Sequence, residues 1–207
     1  MPTSTPSTAI NISTTINLRA DRYYIAQRRD TCRHCRQETR LVALVLPGGH
    51  EVLEWDDDAA ECAGDDAPAD AGEVGTWETS TQPAFLFHVA YLPEHVRRQL
   101  CARAAYAVAR NAPGVECSPG TGSSPGDDSS SGAESCWVNH CEHCGAPFDD
   151  QDLYCEPGGA FCPATDAEAR AIDLEPVDEP IGVDAAGYAE QPQFFESMHG
   201  VDAMNRT

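Results

Sequence analysis

The sequence predicts an α+β fold, an antiparallel sheet with one central helix and a short helical C-terminal part, on three observations. The first is a pair of CxxC units far apart in the chain, Cys32-Arg33-His34-Cys35 and Cys141-Glu142-His143-Cys144. The second is a set of apolar, β-rich runs, with Tyr23, Tyr24 and Ile25 leading into the first unit, LVALVL (41–46) leaving it and AFLFHVAY (84–91) further on. Runs of this kind bounded by turn residues read as strands. The third is a stretch in which Val96, Leu100, Cys101, Ala104, Ala105 and Val108 recur at helical spacing.

Taken in order, residues 1–18 are rich in Thr, Ser and Pro and are expected to be disordered, leaving 19–207 as a single domain. The strand over 41–46 ends at the turn Pro47-Gly48-Gly49, and 50–55 alternates well enough to return as a second strand. Residues 56–76 are acidic and small, too poor in large apolar side chains to offset their ordering entropy, and read as a disordered insertion. Pro93 suits the first turn of a helix, which the spacing extends to 110. A second low-complexity insertion covers 113–133, and 137–140 is the strand that delivers the second CxxC unit. Pro157-Gly158-Gly159 is a turn, Thr165-Asp166-Ala167-Glu168 has the form of a capping box before a helix over 166–172, and 193–198 forms a last helical turn docked by Phe194 and Phe195.

Each CxxC unit offers two thiolates, and two units supply the four that close a tetrahedral structural zinc site. Strand, knuckle, strand around Cys32 and Cys35 is the layout of a zinc ribbon, so the sheet is expected to be zinc-ribbon-like, with Zn2+ on Cys32, Cys35, Cys141 and Cys144. A thioredoxin-like reading needs a CxxC at a helix N-terminus, and neither unit precedes a convincing helix. Cys101 fits the apolar stripe of the helix, while Cys62 and Cys117 fall in the insertions. Cys136, Cys155 and Cys162, with His140, match no common metal spacing, and a second site built from them is left open. His34 and His143 are expected at the surface of the knuckles, His88 as a half-buried strand histidine, and Asp149, Asp150 and Asp152 in a solvated loop.

Of 207 residues, 34 are acidic and 13 basic, all of them arginine, for a formal net charge of −21. Such a balance argues against a chain built mainly to grip nucleic acid or an anionic membrane. The exception is local: Arg19, Arg22, Arg28, Arg29, Arg33, Arg36 and Arg40 cluster around the first knuckle beside Tyr23 and Tyr24. With Arg28, Arg29, Arg33 and Arg36 as its centre, this could be a nucleic-acid-binding face, since arginine and aromatic rings suit phosphates and stacked bases. The favoured reading pairs these arginines with the acidic tail of the same chain. No phosphate loop, GxSxG elbow or HExxH helix occurs, so enzyme chemistry is not the expectation. The amino terminus has no charged n-region or apolar h-region and no stretch is long enough to span a bilayer, so a soluble cytoplasmic protein with reduced thiols is expected.

The stretch WVNHCEHCGAPFDDQDLYCEPGGAF (137–161), together with YYIAQRRDTCRHC (23–35) and VALVLPGGHEVLE (42–54), resembles a group of uncharacterised bacterial zinc-ribbon-like proteins with paired CxxC knuckles. The resemblance implies the ligand role for Cys32, Cys35, Cys141 and Cys144 and implies no activity. The function expected on this footing is a zinc-stabilised module that binds a protein partner, with a nucleic-acid-binding ribbon, and then a metal- or thiol-dependent enzyme, as the alternatives.

Overall fold

The computed structural model describes residues 16–54, 75–110, 135–190 and 192–201, so the disorder expected for 1–18, 56–76 and 113–133 falls mostly on segments outside the described residues; at the described margins Leu18 is instead a buried strand residue and Thr76 begins a strand. In order, the elements are β1 (Leu18–Ala20), β2 (Tyr23–Thr31), β3 (Glu38–Leu46), β4 (Glu51–Glu54), β5 (Thr76–Thr79), β6 (Ala84–Tyr91), α1 (Glu94–Cys101), β7 (Tyr106–Arg110) and β8 (Ser135–Asn139). A π-helical turn (Gln151–Cys155), α2 (Asp166–Ala169), β9 (Asp173–Val177), β10 (Ile181–Glu190) and α3 (Pro192–Phe195) follow. The strands form one open antiparallel sheet in the order β5-β4-β1-β10-β6-β3-β2-β9, with β8 added beside β6 and β7 beside β8. The fold is therefore mostly sheet, with few and short helices.

Its centre is the β2–β3 hairpin, because both faces of that hairpin are covered. Side chains alternate along a strand, so Tyr23, Ile25, Val42, Leu44 and Leu46 enter one apolar cluster while Tyr24, Ala26, Leu41, Ala43 and Val45 enter the other. Helix α1 closes the first through Val96 and Leu100. The second is closed by Leu153, Tyr154, Phe161, Ala169, Ile172, Phe195 and Met198 from the chain beyond the second knuckle. Burial on both faces explains why LVALVL is an unbroken apolar run and not an alternating one. At the outer edge, β9 carries Pro176, which cannot donate to a further strand, and Glu175, tied to Arg103 at 2.5 Å.

Several elements depart from the sequence reading. The helix expected over 93–110 stops at Cys101, and Tyr106–Arg110 is strand β7, paired residue for residue with β8. Cys101 is exposed, its Sγ–H donating to the Tyr106 carbonyl at 3.1 Å, and is not a core residue. The expected helical C-terminal part contains two strands, β9 and β10, and the ten residues of β10 bridge β1 to β6. Strand β5 was also unforeseen. The capping box does form, with Thr165 Oγ1 accepting from the Glu168 amide at 3.3 Å, and Phe195 docks as expected.

The site is positioned by a split in the sheet. Strand β6 pairs with β3 only from Ala84 to Leu86, opposite Leu46 to Leu44, and then leaves it to meet β8 at Val89. Along the first half of β3, side chains fill the vacated place. Asn139, fully buried, accepts from the Val42 amide and donates to the Val42 carbonyl, both at 2.9 Å, as a paired strand would. On the other side of the split, the His88 amide, with φ at 49°, is received by Oδ2 of Asp150 at 2.8 Å. Asp150 is 2% exposed, against the solvated loop expected of it.

Asn139→Leu would leave the Val42 amide and carbonyl buried without partners. Each such group costs about 1–3 kcal/mol, so a loss of about 2–4 kcal/mol in urea unfolding is expected. A change under about 0.5 kcal/mol would show that the Asn139 amide does not stand in for a ladder.

Candidate metal centre

The two knuckles are built alike. In the first, the Cys32 amide donates to the Gln37 carbonyl at 2.9 Å and the Arg36 amide to the Cys32 carbonyl at 2.9 Å. In the second, the Cys141 amide donates to Ala146 at 2.8 Å and the Gly145 amide to Cys141 at 2.9 Å. Both turns need a left-handed residue just after the second cysteine. Gly145 takes it at φ 73° and Arg36 takes it at φ 62°. The absence of glycine from the first knuckle therefore leaves its geometry unchanged and adds local strain, about 1–2 kcal/mol for an L residue in this region.

Hairpin β2–β3 presents the first knuckle at its tip, and β8 delivers the second against β3. Beyond Asn139, the Glu142 amide donates to Oγ1 of the buried Thr39 at 3.1 Å, and the Glu142 carboxylate accepts from Arg40 Nε at 2.9 Å and Nη2 at 2.6 Å. His143 Nε2 meets the Glu38 carbonyl at 2.8 Å. Three consecutive residues of β3 thus hold the second knuckle in register with the first.

The result is a cluster of Cys32, Cys35, Cys141 and Cys144 whose sulfurs all lie within 4.8 Å of one another, the crosswise pairs Cys32–Cys144 at 3.7 Å and Cys35–Cys141 at 3.6 Å. All four are free thiols and could hold a metal ion. Their acidities are spread by proximity. Burial pushes the Cys141 thiol up, but the amides of Cys144 and His143 and the thiols of Cys35 and Cys32 outweigh it and bring it down to about 6. The amide of Gln37 pulls Cys35 down, yet burial and the three other sulfurs raise it to about 12. One thiolate forms readily and the last does so only against the charge of its neighbours. A cation at the centre removes that opposition, which is how a thiolate site couples metal uptake to proton release.

The remaining expected residues lie elsewhere. Among the described residues no other group of three or more potential ligands comes together, so Cys136, Cys155, Cys162 and His140 do not assemble a second site. His34 is exposed and outside the cluster, as is His143. The arginines are largely engaged. Arg28 Nη1 donates to the carbonyls of Ala160 at 2.9 Å and Gly159 at 3.4 Å, Arg29 pairs with Glu38 at 2.8 Å, Arg33 with Asp152 at 2.5 Å and Arg19 with Glu51 at 2.5 Å. Arg36 is exposed and belongs to none of these pairs. The carboxylate partners lie on β3 (Glu38), on β4 (Glu51), in the second knuckle (Glu142, with Arg40) and, for Arg33, in the acidic stretch beyond Cys144 (Asp152). Asp150, which the sequence placed among solvated carboxylates, is buried, as are Asn139 and Thr39, which the sequence did not single out.

The matched turns make a paired prediction. Arg36→Gly relieves the left-handed strain and, after the extra chain entropy of glycine, should raise stability by about 0.5–1 kcal/mol. Gly145→Ala should lower it by about 1 kcal/mol, since a Cβ there meets nothing within 4 Å and only the backbone conformation is penalised. Unfolding in denaturant with the metal site saturated checks both, and shifts of the same sign would contradict the equivalence of the turns.

Compared with protein-family models, with curated proteins and with solved structures, the chain finds no match.

Proposed function

We infer that the chain is a zinc-stabilised module of the zinc-ribbon kind that binds a protein partner and carries out no chemistry at its metal. The observation that carries the metal reading is the spacing of the four sulfurs. A regular tetrahedron with Zn–S bonds of about 2.3 Å has edges of about 3.8 Å, and the crosswise pairs stand at 3.7 and 3.6 Å. Four thiols also favour a soft, tetrahedral ion over magnesium or calcium, which take oxygen ligands. Such a shell leaves no position for water or substrate, so the metal serves as a staple.

The choice of partner class rests on how the arginines are used. Arg19, Arg29, Arg33 and Arg40 each face a carboxylate of the same chain, and Arg28 is spent on carbonyls. A polyanion would have to displace those carboxylates against the chain's net charge of −21. The alternative, a nucleic-acid-binding ribbon, draws on one feature, an open cavity of about 370 Å³ lined by Gln27, Arg28, Arg29, Arg40, Leu41, Ala171 and Asp173. Its arginines are partly neutralised by the pairs above and by Asp173 on its wall.

Two measurements test the reading. Protein purified without added zinc should carry about one equivalent, and Cys144→Ser should lose it together with cooperative unfolding, because structural zinc contributes about 10–16 kcal/mol in small zinc-binding peptides. A stably folded metal-free preparation would sink the staple. Titration with single-stranded and duplex nucleic acid at ~150 mM salt should show no submicromolar binding. Tight binding abolished by Arg28→Ala with Arg29→Ala, at unchanged zinc content, would move the assignment to the nucleic-acid ribbon.

A further inference from the structure

The split between β3 and β6 holds a carboxyl group whose surroundings do not suit a charge. Asp150 is 2% exposed, sits directly before the π-helical turn Gln151–Cys155, and directs its side chain away from that turn to the amide of His88 at 2.8 Å. This hydrogen bond joins the chain after the second knuckle to β6. It is met at a strained backbone position, a non-glycine residue at φ 49° inside a strand. Around the carboxyl stand His88 from β6, Tyr106 from β7, and Asp149, Tyr154 and Cys155 from its own segment, with Cys101 and Cys162 behind them. The neighbouring charge is thus Asp149, of the same sign.

We propose that Asp150 and the strained His88 amide form a pH-sensitive latch that holds residues 149–162 on the sheet when the carboxyl is protonated and loosens them when it ionises. A protonated Asp150 keeps one oxygen as acceptor for the amide and buries no charge. An ionised one is drawn toward water, and the hydrogen bond to β6 goes with it. Burial, opposed by the His88 amide and reinforced by Asp149, raises the group to about 7. The sign follows from proton linkage. A carboxyl raised in the closed form contributes closure that is complete below its ordinary value and is lost as pH rises to the raised value, here between about 4 and about 7. The segment that loosens carries the carbonyls of Gly159 and Ala160 and the carboxylate of Asp152, the partners of Arg28 and Arg33. Opening therefore frees two arginines beside the first knuckle.

Hydrogen exchange on the zinc-saturated full chain tests the latch. After correction for intrinsic rates, protection of amides in 151–162 should fall about tenfold per pH unit between pH 5 and pH 7 and level off above, while β2 and β3 keep theirs. In Asp150→Asn, whose Oδ1 still accepts from His88, the same amides should show no such fall. Equal losses in β2 and β3, or an unchanged pH profile in the variant, would overturn the proposal. If the variant does not fold, the side-chain carboxyl resonance of Asp150 in the wild-type protein decides. A titration midpoint near 7 supports the latch, and one below about 5 refutes it.

Discussion

Four sulfurs from two distant turns must occupy one small volume, and much of the architecture serves that constraint. Thiolates at 3.6–3.7 Å repel each other, so the cluster does not hold the knuckles together on its own. The scaffold helps bring them into place. The hairpin β2–β3 is buried on both faces, and its tip carries Cys32 and Cys35. The second knuckle is then fastened along β3 through Glu38, Thr39, Arg40 and Val42. A cation entering such a cluster converts mutual repulsion into attraction and fixes a chain closure that spans more than half the sequence.

How much of this is legible in the sequence depends on how local the cause is. A CxxC turn is decided within six residues, so all four cysteines could be read directly, and the structure brings those four sulfurs together. Strands β3 and β6 could be read because burial forces apolar side chains into short continuous runs. Strand β10 could not. Its sequence, IGVDAAGYAE, has two glycines and three alanines, a weak strand former whose conformation is imposed by β1 on one side and β6 on the other. Gly187 is required there, because a Cβ would run into the ring of Phe87. In Tyr106–Arg110 the apolar spacing satisfies both periods, and pairing with β8 decides for strand. The burial of Asp150 is less local still, since it depends on where β6 departs from β3.

The charge of the chain also reads differently once the pairs are known. An arginine cluster on an acidic protein suggests either an anion-binding face or pairing with a distant acidic tail. The structure distributes the arginines over carboxylates of β3, β4 and the second knuckle as well as Asp152 beyond it, most of them exposed ion pairs that contribute little to stability individually. Arg40 is the exception in geometry, because its fork meets one Glu142 carboxylate with two nitrogens and its backbone amide meets the same group at 3.2 Å. That pair positions a knuckle, so its value lies in register more than in energy.

The split in the sheet and the metal cluster have one origin. A strand that stayed beside β3 along its whole length would occupy the ground the second knuckle needs. By leaving after Leu86, β6 opens that ground and strands the polar groups on both sides of the gap. Buried amides and carbonyls left in this way cost too much to go unpaired. Side chains therefore complete what the ladder no longer supplies, an asparagine on the β3 side and an aspartate on the β6 side. The asparagine is neutral, with a donor and an acceptor matched to the peptide it faces, and it closes its side permanently. The aspartate has only oxygens to offer and a proton it can lose, so the side facing β6 is the one whose closure depends on the solution around it.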